Sequence, residues 1–223
     1  MELEEFVEAN EPGESGERFE LENDKLLDVD VDGTVIAKAG SMVAFDGDLS
    51  FTGKSSAEGG VMGFIKEKAS SEGTPVMEVS GDGHLYLADQ GKEVQLLSLD
   101  EDEAISVNGP DVLAFEASVS YEISVVGSLG GASAAGLTNV FLTGPGMVAI
   151  TTHGDPLVLT PPVRTDPEAT VAWSRNLSPS VETNRSLSDL VGSSSDERYQ
   201  LVFEGDEGFV VVQPYEEGPT NPA

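Results

Sequence analysis

Residues 27 to 35 read LDVDVDGTV, and the regular alternation of apolar and acidic side chains in this run is the tightest constraint the chain places on its own fold. A period of two sends successive side chains to opposite faces of an extended backbone, so Leu27, Val29, Val31 and Val35 share one face and Asp28, Asp30 and Asp32 the other. The run therefore predicts a strand buried on one side, with three carboxylates along its wet side. Asp28, Asp30, Asp32 and Gly33 also occupy the first, third, fifth and sixth places of a calcium-binding EF-hand loop. Such a loop needs a bidentate Glu at its twelfth place, and here that place is Ala39. The strand reading stands, and no metal site is expected.

A second constraint is repetition. VIAKAGSMVAFDGDLSF, residues 35 to 51, aligns with ISVNGPDVLAFEASVSY, residues 105 to 121, and DPEATVAWSRNL at 166 to 177 supplies a third copy. The alignment puts Phe45, Phe115 and Trp173 at equivalent positions, expected to point inward. A glycine-punctuated element follows each copy: MEVSGDGHLYLA at 77 to 88, FLTGPGMVAI at 141 to 150 and LVFEGDEGFVVV at 201 to 212. Each reads as a β-hairpin in which Gly81 and Gly83, Gly144 and Gly146, or Gly205 and Gly208 make the turn. Helix signals are confined to a turn or two at Ala132–Leu137 and Glu182–Val191. The chain is thus expected to be all-β, a β-roll or double-stranded-β-helix-like architecture built from three internal repeats near residues 20–97, 98–160 and 161–214. These form one domain, 1–214, followed by a mobile tail, 215–223.

Charge narrows the setting. The chain carries 41 acidic and 11 basic residues, a net charge of −30, yet 39% of it is hydrophobic, which is ample for a core. Such a surface repels itself until molar salt shortens the Debye length to about 3 Å. That balance points to a halophilic, acidic protein of a salt-accumulating cytoplasm, of haloarchaeal type. With no cysteine there is neither disulfide nor thiolate nucleophile. MELEEFVEANEPGE lacks the basic start and apolar stretch of a signal peptide, so a soluble, cytoplasmic protein is expected.

The AGSMVAF turn, the FLTGPGMVAI element, the DPEATVAW segment and the terminal EGDEGFVVVQP together resemble the altered inheritance of mitochondria 24 family, over nearly the whole chain and in the same order. The resemblance implies a fold similar to the β-roll of the tryptophan RNA-binding attenuation protein, repeated internally. It implies no biochemical activity, since none is assigned to the family. Its mitochondrial member is linked to inner-membrane organisation.

Enzyme chemistry finds little purchase. Cupin-type metal sites need a His-x-His pair and further imidazoles, whereas His84 and His153 stand far apart and are read as residues of a strand and of the THGDP turn. There is no Gly-x-Ser-x-Gly elbow. Asp46 and Asp48 could act as a carboxylate pair, but their counterparts Glu116 and Ser118 suggest exposed turn positions. The glycine-rich stretch 125–137 lacks the Lys-Ser/Thr ending of a phosphate loop and is read as a close contact between repeats or subunits. Four of the six lysines, Lys38, Lys54, Lys66 and Lys68, fall in one segment, but Glu58 and Glu67 interrupt them and the overall charge argues against nucleic acid. GGVMGFIKEK, residues 59–68, places Val61, Met62, Phe64 and Ile65 in a connection, as core cover, subunit packing or an interaction patch.

The residues together point to a non-enzymatic binding or scaffolding protein of unknown ligand, without cofactor and forming a homo-oligomer. Two alternatives accompany that reading. One is a membrane-associated organiser acting through residues 59–68, and the other a small-molecule enzyme using carboxylates in a repeat cleft.

Overall fold

The alternating run lies within a thirteen-residue strand, as its period requires. The structure, a computed structural model, describes residues 1–13, 16–54, 76–125, 128–129, 132–133, 138–183 and 199–216. In chain order the elements are α1 (Leu3–Glu8), β1 (Phe19–Asn23), β2 (Leu26–Lys38), β3 (Met42–Phe45), β4 (Asp48–Lys54), β5 (Val76–Leu87), β6 (Glu93–Leu99), β7 (Ala104–Asn108), β8 (Val112–Glu116), β9 (Ser120–Val125), β10 (Ser128–Leu129), β11 (Ala132–Ser133), β12 (Thr138–Thr143), β13 (Gly146–Thr152), β14 (Leu157–Leu159), β15 (Val163–Thr165), β16 (Thr170–Ser174), β17 (Ser180–Thr183), β18 (Tyr199–Phe203) and β19 (Val210–Val212). The chain is nearly all-β, and its sheets are antiparallel.

An eight-stranded sheet runs β3-β5-β2-β8-β13-β6, with β1 added to β2 and β4 added to β5. A six-stranded sheet runs β14-β19-β16-β7-β12-β9, and a three-stranded one β15-β18-β17. Buried apolar side chains form three clusters. Ile36, Ile105, Val107, Phe115, Val140 and Leu142 belong to one cluster, Leu27, Val29, Val31, Leu85 and Leu113 to a second, and Trp173, Leu201, Phe203 and Val210 to a third. Burying each such side chain contributes about 1.5–3 kcal/mol.

One pairing recurs three times. Ala44 and Phe45 face Tyr86 and Leu85; Ala114 and Phe115 face Ala149 and Val148; Ala172 and Trp173 face Val211 and Val210. Each ladder carries a bulge just before the alanine, with Val43, Leu113 and Val171 in the extra place. A bulge bends its strand and re-aims the side chains around it, so a turn followed by apolar-Ala-aromatic is the local sequence of this bend.

Several expectations need correction. The glycine elements are not hairpins. Gly81 and Gly83 lie inside the continuous strand β5, which pairs with β2 along its whole length. β12 and β13 on either side of Gly144 lie in different sheets, as do β18 and β19 on either side of Gly205 and Gly208. Gly81, Gly83 and Gly144 permit close crossing of backbones. A Cβ on Gly83 would stand 2.2 Å from the Asp46 carbonyl, and one on Gly81 2.0 Å from that of Asp48. Phe115 and Trp173 are buried as expected, but Phe45 is 46% exposed. The described parts of the two expected helical segments, Ala132–Ser133 and Glu182–Thr183, are strand, and the short helix forms instead at Leu3–Glu8. No described helix is long and apolar enough to cross a membrane.

Candidate functional site

The wet face of β2 was expected to carry three exposed carboxylates, and it carries two. Asp30 and Asp32 are exposed, whereas Asp28 is 4% exposed. The reason is that β2 has neighbours on both sides here: β1 sets Glu20 opposite Asp28, and β5 sets Tyr86 opposite Asp28 and His84 opposite Asp30. Directly opposed residues share a face of the sheet, so these side chains gather on one patch of it. Glu11–Gly13 and Gly16–Glu17 close over that patch to leave an open cleft of about 790 Å³.

His84 stands in this cleft. Its Nδ1 lies 3.0 Å and 3.1 Å from the two carboxylate oxygens of Asp28. The Asp46 backbone N–H donates to the His84 carbonyl at 3.0 Å, and the His84 backbone N–H donates to Oδ1 of Asp46 at 3.3 Å. The hydrogen bond to Asp28 raises the imidazole's pKa above 6.5, against the opposing pull of burial, and the charges of Asp28, Asp46 and Asp30 raise it further. Burial pushes the Asp28 carboxyl above its usual range, and the His84 contact only partly offsets this. Tyr86, raised by burial and then by nearby carboxylates, keeps its phenolic proton at neutral pH.

The cleft is suited to holding positive charge. Its described lining has one imidazole, one phenol and several carboxylates, but no serine, threonine or cysteine to act as a nucleophile. Among the described residues no group of three or more His, Cys, Asp or Glu is placed to hold a metal ion. Two stronger ion pairs lie elsewhere and serve the fold. Lys92 Nζ donates to Asp111 Oδ1 at 2.7 Å with both side chains buried, and Lys38 Nζ donates to Asp89 Oδ2 at 2.7 Å.

The residues singled out from sequence divide into four groups. Val61, Met62, Phe64 and Ile65 lie outside the described residues, as do Lys66 and Lys68. Phe45, Phe115 and Trp173 share a register and form no common site. Asp46 and His84, read from sequence as turn and strand residues, come together in the cleft with Asp28. His153 lies in the bend after β13, its ring 4.2 Å from that of Tyr215. The Asp28–His84 pair was missed because it depends on which residue of β5 faces which residue of β2. The available signal was the alternation of HLYL, which matches that of DVDV.

Comparison with known proteins places this geometry in context. A family model described as mitochondrial biogenesis AIM24 matches residues 19–215. The X-ray crystal structure of a Streptococcus pyogenes protein superposes with a TM-score of 0.68 at 22% identity, covering 89% of this chain and 92% of the other, a likeness of fold. No curated protein matches the chain.

Proposed function

The chain belongs to the AIM24 family, and from that premise we propose that it is a non-enzymatic binding protein whose acidic cleft at His84 holds a positively charged group. The observation that carries this reading is the convergence of Asp28, Asp30, Asp46, Glu17 and Glu20 around a single imidazole in an open cleft. Ionised acceptors make the stronger class of hydrogen bond, and a cationic ligand satisfies several of them at once. Around the cleft, the chain is read as a stiff scaffold of three like β-units, near residues 20–97, 98–160 and 161–214, in a β-roll arrangement. The recurring bulged pairing supports that part of the proposal. The charge of −30 supports a halophilic setting in a salt-rich cytoplasm, where only a built site competes with dissolved cations.

Calorimetric titration with spermidine in molar KCl tests the reading. Saturable binding is expected, and Asp30→Asn with Asp46→Asn should weaken it roughly tenfold, the equivalent of about 1.4 kcal/mol. Asp100→Asn with Glu101→Gln, which alters acids of the β6–β7 turn outside the cleft, should leave it unchanged. Equal weakening by both double variants, or no saturable binding, would remove the cleft from the account.

A further inference from the structure

A second open cavity, of about 750 Å³, lies between β6, the end strand of the eight-stranded sheet, and the β7–β16 pair of the six-stranded one. It shares no residue with the His84 cleft. One wall is apolar: Leu97, Leu99 and Phe209 line it and pack against the buried cluster that holds Ile105. Small-molecule sites take this form, with apolar walls and a few polar groups that fix the ligand's orientation.

Arg175, the residue after β16, supplies the cavity's basic group. Its Cζ lies 5.5 Å from the centroid of the Phe141 ring, a cation–π contact that supports the side chain. Acids outnumber bases 41 to 11, and Asp102 and Glu103 line the same cavity. Even so, among the described residues Arg175 makes no hydrogen bond or ion pair. A guanidinium presents five N–H donors in a planar fork that matches a carboxylate. Here that fork is left open toward an apolar wall.

The turn that carries Arg175 is held on both sides of it. The Ser174 N–H donates to the Phe209 carbonyl at 3.0 Å, and the Phe209 N–H donates to Ser174 Oγ at 3.0 Å. Asn176 Nδ2 donates to the Glu207 carbonyl at 3.0 Å. This bracing fixes the base of the Arg175 side chain relative to Phe209, so less ordering is left for a ligand to impose.

We propose that this cavity binds an amphipathic monocarboxylate, with its head on the Arg175 guanidinium and its alkyl body along Leu97, Leu99 and Phe209. Arginine pairs with a carboxylate through two parallel hydrogen bonds. Asp102 and Glu103 repel a second negative charge at the same place, so a singly charged head is accepted and a phosphate dianion is disfavoured. The inference goes beyond the cleft reading and is independent of it, because the ligand carries the opposite charge and meets none of the cleft's residues.

Calorimetric titration with octanoate in molar KCl tests the proposal. Saturable binding is expected, and hexanoate, two methylenes shorter, should bind about fifteenfold more weakly if the apolar wall takes up the chain. Arg175 is exposed, so Arg175→Gln should fold as the parent does and weaken octanoate by about tenfold or more. Asp30→Asn with Asp46→Asn, in the cleft, should leave octanoate binding unchanged. Octyl phosphate, as the dianion, and octylammonium should both bind more weakly than octanoate. No saturable binding, equal affinity for hexanoate, an Arg175→Gln chain that binds as the parent does, weakening by the cleft variant, or tighter binding of octyl phosphate or octylammonium would overturn the proposal.

Discussion

The carboxylate of Asp28, buried on β2, lies 3.0 Å from Nδ1 of His84 on the adjoining strand β5, two residues from Tyr86, which faces it directly. Both groups hold their proton more tightly in the folded chain than their ordinary values of 3.8 and 6.5 imply. Stability therefore falls as pH rises through each raised value, for Asp28 in the window above 3.8 and for His84 in the window above 6.5. Urea titrations in molar KCl should show the contribution of His84 fully present below pH 6.5 and lost above it. His84→Asn should flatten that upper step and enlarge the lower one, because the contact that offsets the burial of Asp28 is lost.

The Lys92–Asp111 pair is buried on both sides, so its loss should register as a charge left without its counterpart. Lys92→Met is expected to cost about 3–5 kcal/mol. Replacing both, Lys92→Met with Asp111→Leu, should recover much of this, because two desolvated charges are removed together. Chemical denaturation of the two variants side by side measures the difference.

Phe45 and Phe115 share a register and differ in burial, which turns the pair into a controlled comparison. Phe115→Ala should destabilise the fold by about 3–5 kcal/mol through the cavity it leaves. Phe45→Ala, measured on dilute chain, should cost less than about 1 kcal/mol. Equal losses would mean that Phe45 is sealed in solution.

Salt supplies a further check on the surface. With −30 net charge, self-repulsion grows as screening is removed. The thermal midpoint should fall steadily from molar to millimolar KCl in scanning calorimetry. A midpoint indifferent to salt would contradict the halophilic reading.

Much of this fold was legible in the sequence, and the limits have physical causes. A period of two is local, so the DVDVDG strand could be read directly, and the three triplets betrayed a shared register. Glycine was ambiguous. It serves tight turns and close backbone crossings alike, and at Gly81 and Gly83 the crossing carbonyls of Asp48 and Asp46, distant in sequence, decided the matter. The exposure of Phe45 could not be foreseen because it follows from a neighbour that Phe115 and Trp173 have and β3 lacks among the described residues. The cleft needed the register of β2 against both β1 and β5. Alternation reveals the faces of a strand and nothing of which residues meet across it.

The most direct measurement is the titration midpoint of the His84 imidazole, followed by NMR in molar KCl with and without spermidine. If the cleft binds positive charge beside His84, ligand and proton compete for the same carboxylates, and spermidine should move the midpoint down toward the ordinary 6.5. A midpoint already at 6.5, or one that saturating spermidine leaves in place, would contradict the account.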